Sequence, residues 1–328
     1  MILVTGGAGF IGSCIVAKLD ELNIRDVYVC DWMGTDDRWK NLSKHEIAGI
    51  VLPEQMDDFL EKNKDEITAV IHMGAISTTT ERDVDKILIN NQQLSWKLWC
   101  FCRDHNAQFI YASSAATYGD GSCRFIDDDS LEYLKRLRPL NPYGWSKASF
   151  DIKVARELQE GRAAPKQHVG LKFFNVYGPN EYHKGGQKSV IAHIFPSVQK
   201  GEPVKLFKSY NPNYKDGWQL RDFVYVKDIV DVIIWLLQNP QVNGLFNVGT
   251  GVARSFYDLA KATWNALKLE EKIVFVDMPE SIRDRYQYFT QADLTKLRHA
   301  GYTKPMTSLE DGVRDYVVNY LNRNDSYL

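Results

Sequence analysis

The chain has 328 residues, of which 44% are hydrophobic and 25% are charged. This composition is typical of globular proteins and excludes disordered and fibrous classes, and the length favours two lobes because single cores stop growing near ~250–300 residues. The formal net charge of -2 provides no sequence-independent attraction to nucleic acid or to an anionic membrane.

The cysteines and the N-terminus indicate a cellular compartment. Five cysteines form an odd set without CxxC spacing, in a chain too large to need disulfide staples. The segment Ile2–Thr5 already reads as a strand, which leaves no room for a secretory signal. No window reaches the ~18–20 apolar residues that a membrane span requires. We therefore expect a cytoplasmic protein.

Short apolar runs alternate with longer amphipathic stretches through the first half of the chain. Strands are predicted at Ile2–Thr5, Val27–Cys30, Ala69–His72, 109–111 and 168–174, and helices at 10–22 and 83–103. This βαβ order predicts an α/β fold with a Rossmann-type, doubly wound parallel sheet whose ligand lies at the carboxyl ends of the strands.

Beyond residue 174 the pattern loosens into loops rich in glycine and proline, which marks a second, smaller α/β lobe for the substrate. Regular elements return at 222–226, 229–237 and 245–248, so we expect the chain to re-enter the first sheet. The predicted dinucleotide-binding domain covers 1–174 and 222–250. The predicted substrate domain covers 175–221 and 251–328.

Three glycines, Gly6, Gly9 and Gly12, follow the first predicted strand and open the first predicted helix. A tight turn needs a residue that tolerates positive φ, and missing side chains let backbone amides approach a pyrophosphate at the positive helix end. The spacing and its placement predict a dinucleotide site.

The residues after the second predicted strand bear on the choice of cofactor. Asp31 can accept hydrogen bonds from the adenosine ribose, which favours NAD. Arg38 is the natural partner of a 2′-phosphate, which favours NADP. The residues alone leave both cofactors open.

A catalytic group is predicted from Ser114, Tyr143 and Lys147. The Tyr-x3-Lys spacing at the start of a helix places phenol and ammonium one turn apart on one face. A nearby ammonium favours the phenolate, so Tyr143 becomes a usable acid/base, and the hydroxyl of Ser114 can bond the same substrate oxygen.

These motifs resemble those of extended short-chain dehydrogenase/reductases that act on nucleotide sugars. The resemblance rests on the blocks at 5–12, 111–119 and 143–147, and it continues through 174–179, 183–185, 220–226, 246–251 and 285–294. The blocks at 183–185 and around Tyr286 are narrower, and they are similar to the branch that epimerises ADP-heptoses, a source of precursors for the lipopolysaccharide core.

The resemblance implies a set of contacts in addition to the glycines. Cofactor contacts would be Phe10, Ile11, Asp31, Trp32, Arg38, Met73, Gly74, Ala75, Ile76, Ser77, Asn90, Lys147, Val176 and Lys184. Substrate contacts would be Ser114, Asn175, Gly186, His193, Phe207, Lys208, Ser209, Tyr210, Arg221 and Tyr286.

The resemblance also implies a mechanism and an assembly. Tyr143 and Lys184 would act as acid/bases on opposite sides of one substrate carbon, the sixth of the heptose, with bound NADP and no net oxidation. A homo-oligomer such as a pentamer is expected. Pro53 and Gly186 stand where the family usually has lysine and serine, and the segment 210–220 is longer than usual.

Three other functions are alternatives to this one. A UDP-hexose 4-epimerase would use the same scaffold, whereas a 4,6-dehydratase would need acidic residues where Ala115 and Ala116 stand. A non-catalytic, cofactor-sensing protein would not need Ser114, Tyr143 and Lys147 together. The seven histidines are scattered without metal-binding spacing, so no metal site is predicted.

Overall fold

The computed structural model describes residues 1–283 and 286–328. The strands are β1 (Ile2–Thr5), β2 (Val27–Cys30), β3 (Gly49–Val51), β4 (Ala69–His72), β5 (Gln108–Ser114), β6 (Gln167–Phe173), β7 (Asn175–Tyr177), β8 (Val204–Phe207), β9 (Leu220–Tyr225), β10 (Gly244–Val248), β11 (Ala253–Ser255) and β12 (Ile273–Val276). Arg285, which opens the sequence block at 285–294, lies outside the described residues.

The helices lie between these strands and after the last of them. They are α1 (Phe10–Glu21), α2 (Met56–Lys62), α3 (Val84–Leu88), α4 (Leu94–Asp104), α5 (Leu131–Leu134), α6 (Pro142–Gln159), α7 (Val190–Gln199), α8 (Val226–Gln238), α9 (Phe256–Ala266), α10 (Glu280–Arg283), α11 (Thr295–His299) and α12 (Leu309–Tyr316). Among the described residues, no helix is long and apolar enough to cross a membrane.

A parallel sheet of seven strands forms the main lobe, in the order β10-β6-β5-β4-β1-β2-β3. Its central strands are covered by helices on both faces, and Leu3, Val4, Val70 and Ile71 have no exposed surface. Strands that are buried on both faces have continuous apolar sequences, so their positions could be predicted from the sequence. The predicted doubly wound fold is confirmed.

The order of the strands reverses between β1 and β4, because the chain builds outward from β1 in both directions. The carboxyl ends of these two strands therefore leave a crevice between diverging connections. Doubly wound sheets bind their ligands at such a point. The two loops that border the crevice begin at Gly6 and Met73.

A second lobe is built from two small sheets, β11-β9-β7 and β12-β8, with α7 and α9 packed beside them. Its core includes Val198, Ala260 and Trp264, none of which has exposed surface. The strand β10 joins the first sheet beside β6, as expected for 245–248, whereas β9 pairs with β7 and β11 in the second lobe. The loop 208–219 of this lobe faces the segment that follows α10 through a Tyr214–Tyr288 ring contact.

The predicted helix at 83–103 is interrupted. Residues Ile89–Gln93 form one turn of π-helix between α3 and α4. A π-turn adds a residue to the turn and rotates the side chains that follow it. Within this turn Asn91 is buried and the adjacent Asn90 is not, a difference that matters at the cofactor site.

Candidate active site

The turn after β1 is closed by contacts that leave no space for side chains. Gly6 has a φ of +65°, and a Cβ on it would lie 2.6 Å from the backbone of Gly74. A Cβ on Gly12 would lie 2.1 Å from the carbonyl oxygen of Gly6. The glycines therefore let β1, α1 and the loop after β4 converge at the crevice.

The N-terminus of α1 is open to an anion. Gly9 caps the helix without a side-chain hydrogen bond, and the first turn of this fully described helix has no acidic residue. A Cβ on Gly9 would meet, among the described atoms within 4 Å, the carbonyl oxygen of Gly6 at 3.1 Å. This positive, uncovered helix end fits the pyrophosphate of a dinucleotide.

Asp31 fastens the glycine turn to the end of β2. Its Oδ2 accepts a hydrogen bond from the Ala8 amide at 3.0 Å, and its Oδ1 accepts one from the Trp32 amide at 2.8 Å. Burial raises the pKa of Asp31, while the hydrogen bonds and Arg38 oppose the rise. The carboxylate thus lies beside the predicted ribose position.

Arg38 lies next to this carboxylate, and one of its guanidinium donors has no acceptor among the described residues. Its Nη1 is 3.9 Å from Oδ1 of Asp31 and donates to the carbonyl of Trp32 at 3.2 Å. Its Nε is buried and has no acceptor within the described part of the chain. A buried, unused guanidinium donor fits an anionic ligand group such as a ribose phosphate.

A second acidic residue faces the same region. The indole Nε1 of Trp32 donates to Oε1 of Glu54 at 2.8 Å, and Glu54 follows Pro53, which stands where the resemblance leads us to expect a lysine. Trp32 is 46% exposed, so its ring is available to an adenine face. The adenosine end of the crevice therefore contains Arg38 as its predicted cation, with the carboxylates of Asp31 and Glu54 in the same region.

The segment from Met73 to Ser77 follows β4 along the crevice. The amide of Ile76 donates to Oδ1 of Asn91 at 2.8 Å, and the amide nitrogen of Asn91 donates back to the carbonyl of Ile76 at 2.9 Å. The predicted contact Asn90 instead donates to the carbonyl of Lys86 at 2.8 Å. Asn91, which was not predicted from the sequence, is therefore the residue that holds this segment.

The catalytic residues predicted from the sequence meet at the start of α6. Asn141 caps this helix by accepting from the Gly144 amide at 2.8 Å. Tyr143 and Lys147 then lie one turn apart on α6, and the Ser114 hydroxyl at the end of β5 lies near enough to the Tyr143 phenol to lower its pKa. The amide of Ala116 donates to that same hydroxyl at 3.1 Å and so orients it.

The pKa of Tyr143 differs from the sequence expectation. Burial raises it, the charge of Asp151 adds to the rise, and the Ser114 hydroxyl opposes it. Desolvation of the phenolate is therefore the largest influence on this pKa. Tyr143 is therefore a phenol at neutral pH and is ready to donate a proton.

Lys147 is 3% exposed, and burial lowers its pKa to about 8, with the carboxylate of Asp151 opposing the fall. The nearby imidazole of His72 is buried with a pKa of about 3, so it is neutral. It bonds Thr5 at 2.6 Å and Ser95 at 2.8 Å. Lys147 is thus the cation that faces this part of the crevice, and cofactor ribose hydroxyls are suitable acceptors for it.

Lys184 is presented from the loop between β7 and α7. Its ammonium lies 5.1 Å from the ring centre of Phe10, at the start of α1. Burial lowers the pKa of Lys184, and the charge of Glu181 opposes the fall. Glu181 is itself fully buried and accepts hydrogen bonds from Ser189 and Tyr316. The structure thus places Lys184 against the cofactor helix, on a separate element from α6.

The predicted substrate residues gather in the second lobe. Arg221 in β9 is 8% exposed, and its guanidinium carbon lies 5.2 Å from the ring centre of Tyr286 and 5.7 Å from that of Phe256. The guanidinium of Arg283 covers the ring of Tyr210 at 4.1 Å. Aromatic rings beside buried or stacked guanidinium groups fit a nucleotide base and its phosphates.

The remaining predicted contacts lie at the borders of this region. Asn175 and Val176 are in β7, the imidazole of His193 lies 3.3 Å from the carbonyl of Gly186, and Lys208 pairs with Asp277 at 3.1 Å. Phe207 ends β8, and the amide of Ser209 donates to Asp216 at 2.7 Å within the long 210–220 segment.

The chain is similar to known proteins over its whole length. The family model described as "NAD dependent epimerase/dehydratase family" matches residues 2–249. The chain belongs to this family. Two relatives named ADP-L-glycero-D-manno-heptose-6-epimerase, from Fusobacterium nucleatum and Nitratidesulfovibrio vulgaris, are 49% and 50% identical to it, and each match covers 100% of both chains.

Solved structures agree with the family. A UDP-N-acetylglucosamine 4-epimerase from Methanobrevibacter ruminantium M1 matches with a TM-score of 0.80 and 26% identity, over 97% of this chain and 96% of the other. The Helicobacter pylori ADP-L-glycero-D-manno-heptose-6-epimerase matches with a TM-score of 0.78 and 28% identity, over 97% and 95%. The resemblance inferred from the sequence motifs is thereby confirmed.

The tight turn generates a prediction about Gly12. We expect Gly12→Ala to abolish dinucleotide retention, because the added Cβ would displace the Gly6 carbonyl and open the turn. The measurement is the amount of nucleotide released from the purified protein on denaturation. Gly186→Ala is the control, since no described atom lies within 4 Å of its added Cβ. Normal retention by Gly12→Ala would remove this turn from the cofactor site.

Proposed function

We propose that this protein inverts the sixth carbon of ADP-D-glycero-D-manno-heptose to give the L-glycero epimer, a precursor of the lipopolysaccharide core. The observation that carries the proposal is the full-length identity of 49–50% to two ADP-heptose 6-epimerases. The site supports it, because Ser114, Tyr143 and Lys147 occupy one edge of the crevice and Lys184 reaches it from another loop.

A nicotinamide cofactor held in the crevice supplies a reversible hydride acceptor for this chemistry. The residues that would hold it are the Gly6–Gly12 turn at the pyrophosphate, Asp31 and Arg38 at the adenosine ribose, and Lys147 at the nicotinamide ribose. The open helix end and the unused Nε of Arg38 support this placement.

Tyr143 and Lys184 divide the proton transfers. Inversion presents the hydroxyl proton on opposite sides of the carbon, which is consistent with two separate acid/base groups. Burial raises the pKa of Tyr143 and lowers the pKa of Lys184. The proposed roles are that Lys184 accepts a proton and Tyr143 donates one in one direction of the reaction, and that the roles exchange in the other direction.

The second lobe binds the nucleotide part of the substrate. Arg221 is the buried cation in this region, and the rings of Tyr286 and Tyr210 flank guanidinium groups there. We assign Arg221 and Lys208 to the diphosphate, with Asn175, Gly186 and His193 toward the heptose. The assembly is proposed to be a homo-oligomer.

The reaction is tested by supplying the purified protein with ADP-D-glycero-D-manno-heptose and no added cofactor. We expect the L-glycero epimer to accumulate to equilibrium, measured by NMR, because a retained cofactor is restored in each turnover. UDP-glucose is the comparison substrate. Its conversion to UDP-galactose, with the heptose unchanged, would contradict the proposal and favour a hexose 4-epimerase.

The two acid/bases are tested by Tyr143→Phe and Lys184→Met. Each variant should lose epimerase activity by about 10²–10⁴-fold, the usual contribution of a positioned proton-transfer group. Lys200→Met, a change at a lysine beyond the end of α7, is the control and should retain activity. Activity within threefold of wild type in either variant would remove that residue from the mechanism.

The proposed cofactor is NADP, on the strength of the Arg38 donor. Charge-assisted hydrogen bonds contribute about 1.5–3 kcal/mol, so Arg38→Ala should reduce the preference for NADP over NAD by about tenfold to a hundredfold. Calorimetric titration of cofactor-free protein measures both affinities. The control is Lys40→Ala, which removes an exposed lysine paired with Asp37. Tighter binding of NAD by the wild type would show that Asp31 and Glu54 dominate.

A further inference from the structure

A buried ion pair lies beneath the catalytic residues and has no part in the mechanism above. Nζ of Lys172 is 2.8 Å from Oδ2 of Asp151, and the two side chains are 0% and 1% exposed. Buried ion pairs are weak evidence of stabilisation, because desolvation of both charges offsets their attraction. Stabilisation of the fold therefore does not explain why Lys172 and Asp151 lie beneath the catalytic residues.

The carboxylate of Asp151 binds the end of β5 to α6. Its Oδ2 accepts from the Ser113 hydroxyl at 2.7 Å, and its Oδ1 accepts from the Tyr111 hydroxyl at 3.1 Å. Ser113 precedes the catalytic Ser114, and α6 carries Tyr143 and Lys147. Asp151 thus joins the two elements that present the proton-transfer groups.

The ammonium of Lys172 extends the same connection to the turn after β5. Lys172 lies opposite Ser113 in the sheet register, and its Nζ donates to the Thr117 hydroxyl at 2.6 Å. The Thr117 hydroxyl donates in turn to the carbonyl of Ser114 at 2.8 Å. Nζ also lies 5.0 Å from the ring centre of Tyr118. Asp151 therefore holds the start of the turn at Ser113, and Lys172 holds its end at Thr117.

We propose that Asp151 and Lys172 are positioning residues, which hold the Ser114 hydroxyl in register with the Tyr143 phenol by clamping the 113–117 segment to α6. The proposal rests on the proposed function, in which these two groups bind the same substrate oxygen. A fully satisfied buried network of this kind fixes one arrangement of its members. A misplacement of about 1 Å can cost 10²-fold in rate.

The pair also has an electrostatic consequence for Lys147. Asp151 is four residues beyond it, on the same face of α6, and its carboxylate supports the pKa of about 8 that burial leaves. Asp151 and Tyr143 each lie one turn from Lys147 on α6, and the neutral His72 of β4 lies near it. Loss of the carboxylate therefore lowers the pKa of Lys147 further, which a purely mechanical clamp would not do.

The first test is Lys172→Met, which keeps the length of the side chain but removes its charge and donors. We expect kcat for epimerisation to fall by roughly tenfold to a hundredfold with little change in KM, because the reacting groups are misaligned while the binding residues remain. Lys172→Arg should recover part of the loss. Lys227→Met, which breaks a half-buried pair with Asp315, is the matched control and should leave kcat unchanged.

The second test is Asp151→Asn, read as a pH profile. The alkaline limb of kcat/KM should move to lower pH by about one unit, since the Lys147 ammonium is lost earlier. The double variant Asp151→Asn/Lys172→Met removes both charges and avoids an unpaired buried one. It should fold yet keep the low kcat. Wild-type kcat and pH profile in the double variant would overturn the proposal, as would an equal loss in Lys227→Met.

Hydrogen exchange distinguishes this proposal from the function on which it rests. The amides of residues 115–118 should exchange at least about tenfold faster in Lys172→Met than in wild type, and in Lys227→Met they should not. This readout needs no substrate. If wild type does not epimerise the heptose but the exchange rate rises, the function fails and the clamp stands; unchanged exchange overturns the clamp.

Discussion

The site depends on an ammonium group that is almost completely removed from water. Lys147 is 3% exposed, and the burial that lowers its pKa to about 8 also raises the pKa of the neighbouring Tyr143. The carboxylate of Asp151 opposes the fall in the pKa of Lys147 and adds to the rise in the pKa of Tyr143. A dry pocket with one cation and one phenol strengthens every hydrogen bond that a substrate oxygen makes there. The surrounding elements can be understood as the means of keeping these groups buried and aligned.

Two kinds of structural support hold the residues of this pocket in place: close backbone packing at glycines and buried polar contacts. On the cofactor side, the glycines let backbone segments pack closely. A Cβ on Gly12 would lie only 2.1 Å from the Gly6 carbonyl oxygen, so the helix end stays open to a ligand only because Gly12 has no side chain. On the substrate side, the arrangement comes from buried polar contacts, including Asp151 with Lys172 and Glu181 with Ser189. The first support is set by local sequence, whereas the second joins residues that are distant in the chain.

This difference explains what the sequence could predict. The strands β1, β2 and β4 were located to the residue because strands buried on both faces are continuous apolar runs. Tyr143 and Lys147 could be predicted to share one helix face because their spacing is local. The partnership of Asp151 with Lys172, 21 residues apart, was missed because neither residue has a periodic signal. Asn91 was missed because its hydrogen bond to Ile76 joins residues 15 positions apart, and the raised pKa of Tyr143 depends on burial that no local pattern reveals.

In the proposed reaction one carbon of the substrate is oxidised and reduced within a closed site. Deuterium placed on the sixth carbon of the ADP-heptose reports on this step when mass spectrometry follows it as the wild-type protein brings the epimers to equilibrium in ordinary water. We expect the label to remain on that carbon in both epimers. Loss of the label to solvent at the rate of epimerisation would instead show deprotonation at carbon and would rule out hydride transfer.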